Sequence, residues 1–471
     1  MEPDAELYRE FLQPLLDKEG TSLIPKSGII WKELNSVLSP QYLPHQKPLK
    51  RDDAGSNAPN DTLLVNVNFT YHPRKKFQAF DSIATLLLHQ FMDSIKTSSL
   101  FHKYGQVRML VWVRREDKTN LLPRLMQKRK RTASDAELLC HSINEVVGWN
   151  SPDHFAFTRD TLIDRASAVA TLQRMQDAGL KVPRGRETDT YLQAQKDLKN
   201  LDKLPVPGTV PPVWDRAYMK DLEELKALNP RSGTRDFDSL KSKMWRNNST
   251  LKKAEQYHDL LQRGKELSAA KTRGDMSEEE IRAQEQVLST EYERLPITSK
   301  SEFTTHRDNL HLWQQAEPVL LWDRRSYEPL LGAVDEIFPN IEASLLDISP
   351  RPVHHRIRDI GFGSNRTGES FELMEKALWA EPRADLKRAL DTVWPGASDW
   401  IVPRCPSLTD PKQGGVNVDA KGLELAVRSL SAKQWEEVLE QWCQWPLRPD
   451  FVDLVARSLD YTEDDDAMHT R

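Results

Sequence analysis

The chain has 471 residues, a formal net charge of -5 and 38% hydrophobic residues, which is enough for two or three ordinary domains with apolar cores. No apolar run approaches the ~20 residues that a membrane helix requires, so membrane insertion is not expected, and so acidic a chain can meet nucleic acid only through local basic clusters. Cys140, Cys405 and Cys443 lie far apart without a Cys-x-x-Cys pair, which argues against a disulfide framework or a cysteine zinc site and fits a reducing compartment.

The opening stretch, MEPDAELYREFLQPLL, has neither a basic n-region nor the Arg-rich composition of a transit segment. Its spacing predicts a helix over 4–16, capped by Asp4, with Leu7, Tyr8, Phe11, Leu12 and Leu15 on one side. A short strand near 21–24, a helix over 31–38 and a Pro/Asn/Asp-rich loop over 40–61 follow. The run LLVNVN at 63–68 is a buried strand, and Asp81 is the expected cap of an amphipathic helix with Ile83, Ala84, Leu87, Leu88, Phe91 and Ile95 turned inward. A second buried strand, QVRMLVWV, covers 106–113. Strand, helix and strand in this order form a crossover unit, so the two strands are expected to be parallel and to end at one crevice, where open α/β sheets bind ligands.

Beyond about 117 the pattern is helical, with segments over 134–147 and 165–178. The stretch PVPGTVPP at 205–212 reads as a linker or domain edge. Charged helices over 250–267 and from Ser277, with Glu280 completing a capping box, form an expected antiparallel hairpin whose seam holds Ile281, Leu288, Tyr292 and Leu295. Shorter helices over 312–459 carry Trp435, Trp442 and Trp445, read as core, and the chain ends in an acidic tail. Three regions result: an α/β core over 1–160, a helical region over 161–300 and a helical C-terminal region over 301–471.

Chemistry concentrates at the end of the first buried strand, in Asn68-Phe69-Thr70-Tyr71. An enzyme that methylates the exocyclic amine of a base must hold the amine in line and accept its hydrogens. An Asn oxygen with a following backbone carbonyl can do this, while an aromatic ring stacks the displaced base. Asn68 takes the first role and Tyr71 the second, with Phe69 as a further stacking group. Arg74, Lys75 and Lys76 would lie beside phosphates, and Lys128, Arg129, Lys130 and Arg131 form a second basic strip. On the residues alone, the alternative is that Asn68 caps a turn and Tyr71 packs at the sheet edge. Glu2, just before a helix, has the look of an acid that binds the ribose hydroxyls of a cofactor. The glycine-rich stretch RDIGFGSN at 358–365 lacks a preceding buried strand and reads as a surface loop. His354 and His355 have no acidic or cysteine companion at a useful spacing, so no metal is expected.

The order of MEPDAELY, PKSGIIWKEL (25–34), LLVNVNFTYHPRKK, LLLHQFMDSI (86–95) and VRMLVWVRREDKTNLLPRL (107–125) resembles fungal mitochondrial transcription factor B proteins, which belong with the ribosomal RNA adenine dimethylases. The resemblance covers about 1–150. It implies a Rossmann-like class I methyltransferase core that binds S-adenosylmethionine, followed by a mostly helical C-terminal region for nucleic acid. Members either dimethylate adenines of small-subunit ribosomal RNA or assist mitochondrial RNA polymerase at promoters, so a mitochondrial location is implied. On this resemblance Glu2 matches the ribose-binding acid, Asn68 and Tyr71 the catalytic motif, and Ser27 or Gly28 the place of an adenine-binding Asp. Phe69-Thr70 stands where the family has Leu-Pro. The glycine-rich loop should precede Glu2, so the core is expected to be N-terminally incomplete. The expected function is a transcription factor B that melts promoters with the polymerase. The alternatives are an active dimethylase or a non-catalytic helical scaffold.

Overall fold

A five-stranded mixed sheet in the order β1-β2-β5-β3-β4 organises the fold. The computed structural model describes residues 1–71, 80–150, 159–337 and 340–457. Its first part runs α1 (Ala5–Leu16), α2 (Trp31–Val37), β1 (Pro59–Asn68), α3 (Ile83–Thr97), β2 (Gln106–Arg114), the single turn α4 (Arg115–Lys118), α5 (Arg131–Leu139) and β3 (Cys140–Gly148). A helical excursion follows: α6 (Thr161–Asp177), α7 (Asp189–Lys199), α8 (Tyr218–Leu228), α9 (Arg235–Arg273), α10 (Glu278–Arg294) and α11 (Ile297–Trp313). The chain then returns through β4 (Leu330–Leu331) and β5 (Ala343–Pro350) and closes with α12 (Thr367–Ala380), α13 (Leu386–Val393), α14 (Ala397–Ile401), α15 (Pro406–Thr409) and α16 (Ala432–Gln444).

β1 pairs parallel to β2 with Asn68 opposite Trp112, as the crossover argument requires. β5 runs antiparallel to both of its neighbours, β2 and β3. β1, β2 and β3 therefore all end at one edge, where β5 begins. β5 is central because Leu346 and Ile348 are fully buried on one face, while Asp347 on the other is held by Arg108 through two hydrogen bonds of 2.7 and 2.6 Å. This strand departs from the expectation of shorter helices over 312–459. The alternation in ASLLDISP is interrupted by a charge that only the neighbouring strand neutralises.

The helix expected over 134–147 divides into α5 and β3. The β-branched residues Ile143 and Val147 pair with β5, and Val147 also with β4, instead of continuing the helix. The expected strand at 21–24 does not form and takes no part in the sheet. α3 is capped by Ser82, whose hydroxyl accepts the Thr85 amide at 3.0 Å, and not by Asp81.

One face of the sheet, with Val107, Met109, Val111, Leu346 and Ile348, packs against Leu88, Phe91 and Ile95 of α3 and reaches Phe371, Trp435 and Trp442. The amino-terminal and carboxyl-terminal parts thus share one core. α16 shows why: Trp435, Val438, Leu439 and Trp442 fall on one side at helical spacing and are all buried. Trp445, at 5% exposure, completes the expected buried trio.

The charged hairpin is longer than its periodicity showed, since α9 alone runs 39 residues. The Ser277–Glu280 capping box forms, and Arg263 clasps Glu291 across the pair at 2.7 and 2.9 Å. The stretch 205–212 is packed down. Gly208, at φ +85°, lies where a Cβ would meet Gln314 and Leu310 within 3 Å. By contrast α1 forms where expected, but Leu7, Phe11 and Leu15 on its apolar side stand exposed. The acidic tail lies outside the described residues.

Candidate functional site

The site is the carboxyl edge of the parallel strands. β1 is an outer strand, so along it Leu64, Asn66 and Asn68 face outward while Leu63, Val65 and Val67 lean on the core. The ladder continues one residue beyond the strand, with the Phe69 amide donating to the Trp112 carbonyl at 2.9 Å. That bond turns Phe69 inward. Its ring is fully buried, 5.5 Å from Phe91, and offers no face to a base, contrary to the expected stacking role.

Asn68 is exposed, and its side-chain oxygen accepts the Thr70 amide at 2.9 Å and the Thr70 hydroxyl at 2.7 Å. This is an Asx turn, the capping role weighed above. The carbonyl of Thr70 accepts the Arg114 Nε at 3.0 Å. The two oxygens assigned to receive the hydrogens of an amine are thus engaged within the chain. Tyr71 comes next and is 60% exposed. Partial burial, then the carboxylates of Glu2 and Asp4, hold its phenol above the usual range.

Glu2 and Tyr71, 69 positions apart in the sequence, therefore share one electrostatic neighbourhood. The Glu2 amide donates to the Ile24 carbonyl at 3.1 Å, and its carboxylate accepts the Asp4 amide at 3.1 Å. Nearby in the chain, the Ser27 amide is bound to the Glu33 carboxylate at 2.5 Å, and space around Gly28 is open. Trp31 joins this loop to the same Phe91 ring that floors Phe69, at 5.9 Å. The Glu2 carboxylate thus acts on the exposed Tyr71 ring, while the Ser27 amide is committed to α2.

The basic strips fare differently. Arg74, Lys75 and Lys76 lie outside the described residues. In the second strip Lys128 and Lys130 are exposed and Arg131 is half-buried. Arg129 is the correction: its guanidinium is fully buried, paired with Glu137, and donates to the carbonyls of Arg428 and Leu430 at 2.6 and 2.8 Å. It joins α5 to the segment before α16 and cannot reach a phosphate. Arg115 is paired with Glu342 at 3.0 Å.

The loop at 358–365 is at the surface, with Phe362 wholly exposed. Beside it, sequence reasoning missed a companion of His354 and His355. Glu440, far along the chain on α16, lies 3.3 Å from one imidazole and 3.6 Å from the other. No local spacing links these residues; only the return of α16 to the core brings the carboxylate there. Burial explains the cysteines, since desolvation pushes Cys140 and Cys405 up to about 12 and leaves both as inert core thiols.

No protein-family model matches the chain, and no curated protein does.

Proposed function

We propose that the chain is a nucleic-acid-binding protein on a class I methyltransferase-type sheet. More particularly, it is read as a mitochondrial transcription factor B protein, akin to the ribosomal RNA adenine dimethylases, that holds melted promoter DNA for mitochondrial RNA polymerase. The observation that carries this reading is the sheet. Parallel β1 and β2 are followed by an antiparallel β5 wedged between β2 and β3, as at the carboxyl end of class I methyltransferase sheets. Asn68 closes β1 at the carboxyl edge of the parallel strands, where open α/β sheets bind ligands, Tyr71 follows it, and the Glu2 carboxylate acts on the Tyr71 ring.

The bonding at Asn68 and Thr70 favours holding a base over methylating it. Tyr71 provides the stacking surface, and the exposed Lys128 and Lys130 lie on the chain between β2 and β3. Dimethylation of ribosomal RNA remains the second reading, favoured by the position of Glu2. It requires S-adenosylmethionine at Glu2 and release of the Asn68 oxygen from Thr70.

Fluorescence anisotropy with labelled single-stranded DNA, at rising salt, tests the first reading. Binding that weakens steeply with salt is expected, and no binding of DNA or RNA at low salt overturns it. Calorimetry with S-adenosylmethionine decides between holding and transfer: silence is expected, and heat of binding moves the reading to the methyltransferase.

A further inference from the structure

We propose that His354, His355 and Glu440 form a binding site for one divalent transition metal, of which zinc is the best fit. One ligand atom from each residue lies within 4.8 Å of the others. The chain leaves β5 at Pro350, and the turns that follow place the two imidazole rings 4.5 Å apart. α16 presents Glu440 opposite them.

The distances carry the argument. His354 Nε2 is 3.3 Å and His355 Nε2 3.6 Å from the same Glu440 oxygen, Oε1. Both exceed the usual length of a hydrogen bond to a carboxylate, 2.7–2.9 Å. The first matches the edge of a coordination tetrahedron, about 3.3–3.4 Å for bonds of roughly 2.0–2.1 Å, and the second lies just beyond it, within reach of a small rotation of the exposed His355 ring. The three donors are thus spaced to share an ion.

The surroundings agree. The other carboxylate oxygen, Oε2, accepts Arg356 Nε at 2.8 Å, which orients the group and leaves Oε1 for the metal, as hydrogen-bond partners of ligating carboxylates do. Two imidazoles and one carboxylate suit zinc, and three protein ligands leave a fourth position for water or an anion. His355 and Arg356 also line a cleft of about 760 Å³ of mixed charge, with Arg51 and Arg358 beside Asp52, Asp53 and Asp359, so the site is open to solvent. Cys443, one turn beyond Glu440 on α16, is the competing donor nearby.

The test is calorimetric titration of the metal-stripped full chain with Zn²⁺. Uptake of one ion per chain is expected. His355→Ala and Glu440→Gln should each weaken it by roughly tenfold or more, with Cys443→Ser and the distant His45→Ala unchanged. His355 is 74% exposed, so its replacement leaves folding intact. No uptake, or equal uptake by His355→Ala and Glu440→Gln, overturns the proposal. Loss in Cys443→Ser with Glu440→Gln unaffected also overturns it.

Discussion

Asn68 and Thr70 are locked to each other at the end of β1, the Asn68 side-chain oxygen receiving both the amide and the hydroxyl of Thr70 at 2.9 and 2.7 Å. The chain is thereby turned so that Phe69 enters the core and Tyr71 emerges, and the two aromatic residues of one tetrapeptide acquire opposite roles. Tyr71→Ala is expected to weaken binding of single-stranded nucleic acid by about 1–3 kcal/mol. Asn68→Ala should loosen the turn with little effect on affinity. Anisotropy titrations of both variants check this, and equal affinities for Tyr71→Ala and the parent would remove Tyr71 from the interface.

The second basic strip separates a structural arginine from a surface lysine. Arg129→Ala leaves Glu137 buried and unpaired, so a loss of about 3–5 kcal/mol in urea unfolding is expected. Lys130→Ala should stay within about 0.5 kcal/mol. If Lys130 contacts a phosphate, its loss lowers the salt slope of binding by about 1.

Acid should destabilise the protein through buried imidazoles. Desolvation holds His102 down to about 3 and His306 down to about 4. Because the folded values are lowered, the unfolded chain binds protons first. Stability is complete above about pH 6.5 and falls as the pH drops toward 4, by about 2 kcal/mol for each group at pH 5. His306→Phe, which keeps a ring against Trp214, should recover about 2 kcal/mol of the loss between pH 7 and 5. Chemical denaturation at the two pH values measures it, and an unchanged loss would contradict the assignment.

Glu375 behaves in the opposite sense. Burial first, then Asp135 bonded to it, hold its carboxyl well above the ordinary range. Its contribution is complete below the unfolded value near 4.5 and is lost as the pH rises through the folded one. Glu375→Gln cannot ionise and should flatten the decline of stability as the pH rises above about 4.5. Melting temperatures across that range test it, a parallel decline in both proteins being the contrary result.

Local chemistry was legible in the sequence. The Ser277–Glu280 capping box, the apolar side of α3, the parallel pairing of β1 with β2 and the buried tryptophans of α16 all follow from spacing of a few residues, where periodicity reports directly on one face of an element. Even α1 was placed to within a residue. Its exposed apolar side was not, because periodicity tells which residues align and not what covers them.

Tertiary structure decided the rest. β5 enters the sheet between β2 and β3 because Arg108 neutralises Asp347 from a strand more than 200 residues earlier. Arg129 is drawn from a basic strip into the core by Glu137 and by carbonyls from the far end of the chain. Glu440 meets His354 and His355 only because α16 must bury its tryptophans against the same core. In each case at least one deciding partner is distant in sequence. The free energy that fixes the residue comes from desolvation and pairing in the folded state, which no local pattern of residue types encodes.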